Sequence, residues 1–202
     1  MFPYISTQTF HEFLLKTKEW KKVSCKRRKR HENTNSPLII NRKEKHMNIS
    51  EKEQLTINNE ANKILNEYFS MLNHKDVVRR KINELLHVNL TKPLTVALLM
   101  GPAPRGVDSK RFKALVNIYI SYMAQADQCK YKMIELFKPI VNHIIETEYA
   151  SYTQHQENLY VVGISGVLLS MDQICPDPYA YYCQRIIVEM HQFLEENGLF
   201  KE

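Results

Sequence analysis

Apolar residues recur at three- and four-residue spacing along most of the chain after residue 49. This period of about 3.6 residues predicts amphipathic helices rather than strands. The first predicted helix runs from Ser50 to about His74, because Ser50 and Glu53 have the spacing of a capping box. A second helix is predicted from about Lys75 to His87, with its apolar positions at the same spacing.

The clearest helical period begins at Asp108, and either Asp108 or Ser109 has the residue type of a helix cap. It follows a short apolar segment over 93–100 and a loop over 101–106, whose two glycines and two prolines cannot stay helical. Further helices are predicted over 108–126, over 130–148 and from about 157 to 169. Pro139 is expected to kink or split the second of these.

The last predicted helix has well-marked ends. Asp177 is its cap, Pro178 occupies the first helical position, and Asn197-Gly198 followed by Leu199 is typical of a Schellman end. In the helix before it, two glycines at positions 163 and 166 would allow a neighbouring helix to approach closely. The chain after residue 49 is thus predicted to carry seven or eight helices of roughly 10–20 residues.

These helices predict an all-α fold. Seven helices of this length exceed one four-helix bundle, so we expect stacked antiparallel helix hairpins, as in an α-solenoid. Glycine is scarce, with 5 residues in 202. Tight hairpin turns and phosphate-binding loops both need glycine, so its scarcity argues against an all-β fold and against a nucleotide-binding loop.

The basic charge is concentrated at the start of the chain. Residues 1–48 carry a net charge of +8, whereas residues 49–202 carry −2. We therefore predict two regions: a basic, largely disordered arm over 1–48 and an all-α helical-repeat domain over 49–202. The segment near Phe10 in the arm is either a short amphipathic helix or a local turn that packs on the domain. The centre of the arm is five adjacent cations, Lys26, Arg27, Arg28, Lys29 and Arg30.

Three interpretations of this run remain open. It is a nuclear-import signal, a contact for the phosphate backbone of RNA or DNA, or a solvated tail. A second basic patch is predicted around Arg105, Lys110 and Arg111, close to a helix N-terminus, where it suits phosphate or acidic side chains. The alternative for this patch is a plain solvated surface.

Tyrosines cluster around the start of the last helix. We predict that Tyr149, Tyr152, Tyr179 and Tyr182 form an exposed face that binds a protein partner, because exposed tyrosine is enriched at interfaces. The competing interpretation is that these rings belong to the core and that their hydroxyls reach water.

No pattern in the chain indicates catalysis. The nucleophile-elbow, P-loop and dinucleotide-binding motifs do not occur, and no His or Cys residues have metal-ligand spacing. We predict no catalytic residue, cofactor or metal. The four cysteines are expected to be free thiols in a reducing compartment, nuclear or cytoplasmic, since the first residues do not resemble a signal peptide. No apolar run is long enough to predict a membrane span.

Three segments carry a family resemblance. The basic-aromatic opening Ser109–Val116, the aliphatic stretch Met133–Ile145 and the leucine-rich segment Glu157–Leu169 resemble the later helix pairs of the MIF4G family. The resemblance implies a HEAT-like solenoid and a scaffold in RNA metabolism or translation. We therefore expect a non-enzymatic adaptor that binds a protein partner. The alternative is a nucleic-acid-binding protein that uses the arm and the basic patch. The oligomeric state stays open.

Overall fold

Helices account for the regular structure of the residues that the computed structural model describes, which are 50–89, 91 and 93–199. No strand occurs among them, and the all-α prediction is confirmed. The elements are α1 (Glu51–Leu85), α2 (Val96–Met100), α3 (Ser109–Glu148), a 3-10 turn (Thr153–His155), α4 (Gln156–Ser170) and α5 (Pro178–Glu196). The predicted arm, with its run from Lys26 to Arg30, lies outside the described residues.

The two longest helices, α1 and α3, form an antiparallel pair. They contain 35 and 40 residues, which corresponds to about 52 and 60 Å at the rise of an α-helix. Near the middle of the pair, Lys132 Nζ lies 2.9 Å from Glu67 Oε2. Further along, the ring of His74 stacks on that of Tyr122 with 5.2 Å between centroids. As residue numbers rise along α1 they fall along α3, which defines the antiparallel order.

The predicted division of these two helices into shorter ones is wrong. Helix α1 continues through residues 73–76, and α3 continues through residues 126–130. Both segments are polar enough to suggest a loop, but neither contains Gly or Pro, so no residue forces the backbone to leave the helix. The described residues therefore contain five α-helices rather than seven or eight.

Pro139 does not split α3. It lies inside the helix on an exposed position. A proline removes one backbone hydrogen bond, and on the exposed side of a helix the carbonyl left without that bond can accept one from water. The helix therefore continues to Glu148.

A shorter hairpin, α4 and α5, packs on the C-terminal half of α3. Gly163 and Gly166 face this contact: a Cβ atom added to Gly163 would lie 2.5 Å from Met190 Cε and 2.8 Å from Val141 Cγ1. One added to Gly166 would lie 3.1 Å from the backbone Cα of Ile186. The predicted close approach at the two glycines is thus confirmed.

The opposite end of the α1–α3 pair has its own apolar cluster. Val78 and Ile82 of α1 pack with Phe112, Val116 and Tyr119 of α3. The connection between the two helices, including α2, covers this cluster with partly buried apolar residues, among them Leu94, Leu98, Leu99 and Val107. The long pair therefore has a core contact at each end, one with the α4–α5 hairpin and one with the α2 segment.

The caps predicted for the starts of α1, α3 and α5 and the predicted Schellman end of α5 are confirmed. Ser50 accepts from the Glu53 N–H at 3.3 Å, while the Glu53 carboxylate accepts from the Ser50 N–H at 3.0 Å. Asp108 and Asp177 cap α3 and α5 through their side chains. The end of α5 is a Schellman motif, with Gly198 at φ 64° and the Leu199 N–H bonded to the Leu194 carbonyl.

Helix α1 ends in the same motif without a glycine. The Val88 N–H donates to the Asn83 carbonyl at 3.0 Å, and the His87 N–H donates to the Glu84 carbonyl at 3.1 Å. His87 takes the left-handed position at φ 54°. Since a side chain in this region crowds its own backbone, the position is strained.

Replacing His87 by Gly is expected to stabilise the domain by about 1 kcal/mol, because relief of the left-handed strain exceeds the greater freedom that Gly gives the unfolded chain. The free energy of unfolding in urea is the measurement. Lys81→Gly, at an exposed position inside α1, is the matched control and should destabilise by about 1 kcal/mol. A loss of stability in His87→Gly would contradict the assignment of this helix end.

Candidate interaction surfaces

The tyrosines predicted to form an exposed binding face are largely core residues. Tyr149 is 3% exposed, Tyr179 is 8% exposed and Tyr182 is fully buried, while Tyr152 is half-buried. The ring of Tyr182 stacks on Phe137 of α3 with 4.6 Å between centroids. The predicted exposure is therefore wrong for three of the four rings. These three rings lie in the core, as in the competing interpretation, but the hydroxyl of Tyr182 does not reach water.

Helical spacing places these rings inside the molecule. Tyr182, Ile186 and Met190 follow one another at four-residue intervals, and all three are buried on the face of α5 that meets the rest of the domain. The backbone N–H of Tyr179 donates to Asn58 Oδ1 of α1 at 2.7 Å, which ties the start of α5 to the long pair. This apolar period was the signal in the sequence that indicated a core position.

The hydroxyl of Tyr182 is an unsatisfied polar group. It is buried and has no hydrogen-bond partner among the described residues. Burial also raises the pKa of Tyr182 well above its ordinary value, so the phenol stays neutral. A buried hydroxyl without a partner destabilises the folded state, because folding removes it from water without replacing the lost hydrogen bonds.

Tyr182→Phe is expected to leave stability unchanged or to raise it by about 1 kcal/mol, since it removes only the unsatisfied hydroxyl. Tyr182→Ala is expected to lower it by about 3–5 kcal/mol, because it leaves a cavity against Phe137. Urea unfolding followed by circular dichroism measures both. Should the Phe variant lose more stability than the Ala variant, the burial described for this ring would be contradicted.

The three described cysteines are free thiols in poorly reactive surroundings. Burial raises the pKa of the Cys183 thiol to about 12. Burial also raises the pKa of Cys129 and, together with Asp177, that of Cys175. Because the thiolate is the nucleophilic form, none of these three side chains is activated for attack.

Nowhere in residues 50–89, 91 and 93–199 do three or more His, Cys, Asp or Glu side chains gather as metal ligands. Over the same ranges, no helix is both long and apolar enough to cross a bilayer.

Antiparallel pairing brings two basic clusters of the sequence to the same end of the long pair. The C-terminal part of α1 carries Arg79, Arg80 and Lys81, and Ile82 beside them packs in one cluster with Phe112. Phe112 directly follows Lys110 and Arg111 in the first turns of α3. We call this region the basic end, defined by the exposed side chains of Arg80, Lys81, Arg105, Lys110, Arg111 and Lys113.

Within residues 49–202, positive charge is concentrated in the segment that contains the basic end, and the remaining residues carry a net negative charge. Residues 75–113 carry nine Lys or Arg and three Asp or Glu, a net charge of +6. The remaining residues of 49–202 carry a net charge of −8. The predicted patch at Arg105, Lys110 and Arg111 is thus part of a larger cationic region that also includes Arg80 and Lys81.

Helix α2 adds two exposed apolar side chains to this end. Leu98 and Leu99 turn inward and pack on the cluster around Ile82. Val96 and Met100 are each 76% exposed. They lie four residues apart and therefore on one side of the helix, so α2 presents an apolar pair to solvent. Sequence reasoning identified the apolar segment but not this outward pair.

Comparison with known proteins adds no assignment. No protein-family model matches the chain, and neither a curated protein nor a solved structure matches it significantly. The resemblance to the MIF4G family therefore stays a prediction.

Proposed function

We propose that this chain is a non-enzymatic adaptor that binds a protein partner through the surface of its helical domain. The outward pair on α2, Val96 and Met100, carries the proposal. Water-exposed apolar side chains held on an ordered element are stabilised when a partner covers them. Leu98 and Leu99 anchor the helix on the opposite side, so the pair is presented on fixed backbone.

The finer parts of the proposal come from the sequence. The resemblance to the MIF4G family supports a HEAT-like arrangement of helix hairpins and a role in RNA metabolism or translation. The run from Lys26 to Arg30 supports nuclear import, with the protein acting in the nucleus, the cytoplasm or both.

Nucleic-acid binding is the second candidate function, and the basic end is the observation that favours it. Lys110 and Arg111 are exposed in the first turn of α3, and Arg105 precedes them in the loop. Together with the cationic run in the arm, they would contact phosphates of RNA or DNA. Such contacts release counterions, so binding of this kind weakens steeply as salt rises.

Affinity capture from lysate with the full chain separates the two functions. We compare nuclease-treated and untreated lysates, and the wild-type chain with a variant in which Lys26–Arg30 are all alanine. An adaptor recovers the same proteins under all of these conditions, because its contacts with protein need neither nucleic acid nor the cationic run. Loss of the captured proteins on nuclease treatment would instead identify nucleic acid as the ligand and contradict the adaptor.

A further inference from the structure

We propose that the basic end docks an acidic polypeptide segment that carries two apolar side chains about one helical turn apart, with Val96 and Met100 as the apolar contact. The proposal rests on the adaptor function and specifies its surface and the chemistry of its partner. Two independent observations support it: an outward apolar pair, and a set of basic side chains at the same end of the domain that lack carboxylate partners among the described residues.

The apolar part of the surface is held in place from within the domain. The Thr95 side chain caps α2 by accepting from the Leu98 N–H at 3.3 Å. Leu98 and Leu99 then pack on the apolar cluster of α1 and α3. Val96 and Met100 are consequently fixed on the outer side of α2, at a spacing that matches apolar anchors at positions i and i+4 of an amphipathic partner.

The basic side chains at this end of the domain differ from those elsewhere in it. Of the eight that the structure describes between residues 75 and 113, only Arg79 pairs with a carboxylate, that of Asp76 at 3.3 Å. Among the six in the rest of the described chain, four pair with carboxylates, namely Lys63, Lys130, Lys132 and Arg185. The cations of the basic end are therefore available to carboxylates from another molecule.

The apolar pair favours a polypeptide over a nucleic acid. Single-stranded nucleic acids bind to proteins by stacking their bases on exposed aromatic rings, in addition to phosphate contacts. Among the Phe and Tyr rings described at this end, Phe112 and Tyr119 are buried and Tyr122 stacks on His74, so the exposed ring there is the smaller imidazole of His87. A nucleic acid would use the cations alone and leave Val96 and Met100 exposed, whereas an acidic segment with apolar side chains uses both features.

Fluorescence anisotropy with the full chain and labelled peptides of about 20 residues tests the proposal. The probes are acidic peptides, each of which carries two leucines three or four residues apart. The comparison peptides replace the leucines by serine, or the carboxylates by their amides. We expect the acidic leucine peptides to bind at least about tenfold more tightly than either comparison set, because each of those removes one of the two contacts.

Two variants and two matched controls locate the surface. Two double variants should each weaken binding at least about tenfold: Val96→Ser with Met100→Ser, and Lys110→Glu with Arg111→Glu. Ile174→Ser is the apolar control, because Ile174 is 74% exposed but lies outside the basic end. Lys138→Glu is the charge control, at an exposed position in the other half of α3. Circular dichroism verifies that every variant stays helical.

Three results would overturn the proposal. The acidic leucine peptides fail to bind, the variants at the basic end bind as tightly as the two controls, or an RNA oligonucleotide or phosphatidylserine vesicle binds while the peptides do not. Failure of the docking site is distinguishable from failure of the adaptor function. If nuclease-resistant capture of proteins persists in the two basic-end variants, the adaptor stands and only its surface is misplaced.

Discussion

The apolar contact between α1 and α3 is the interaction on which the other elements depend. Isolated helices are marginal in water, and their stability in proteins comes mainly from packing. Here the contact buries Leu65 and Ile82 of α1 together with Phe112 and Met133 of α3.

Both remaining parts of the described chain pack on this pair. The α4–α5 hairpin covers one end, where the glycines at positions 163 and 166 let its helices approach closely, and the α2 segment covers the other.

The same antiparallel order determines where charge and apolar surface meet. Residues near 80 and near 110 are distant in sequence, but the pairing of α1 with α3 places both at one end of the domain. That end acquires a net charge of +6 over residues 75–113, while the rest of 49–202 carries −8. Helix α2 forms part of the connection between the two long helices, so its outward pair lies at this end as well. The proposed docking surface is thus a consequence of the fold.

Local signals in the sequence predicted local features well. The caps at Ser50, Asp108 and Asp177 act through hydrogen bonds within one helical turn, so their spacing alone predicted them. The length of α1 could not be predicted in this way, because polar residues such as Asn73 and Asp76 suit both a loop and the exposed side of a long helix. Burial of Tyr182 depends on Phe137, which comes from another helix. The basic end was missed for the same reason, since it requires tertiary pairing.

Amide hydrogen exchange across the two predicted breaks tests the central claim, that α1 and α3 are continuous helices paired along their lengths. The informative amides are those of residues 73–76 and 126–130, measured by mass spectrometry on the full chain, with the loop at residues 101–106 as the internal reference for exposed backbone. Continuous helices predict that both segments exchange far more slowly than this loop, because their amides remain in helical hydrogen bonds. Exchange at either segment as fast as in the loop would contradict the long pair and would restore the shorter, separate helices that the sequence suggested.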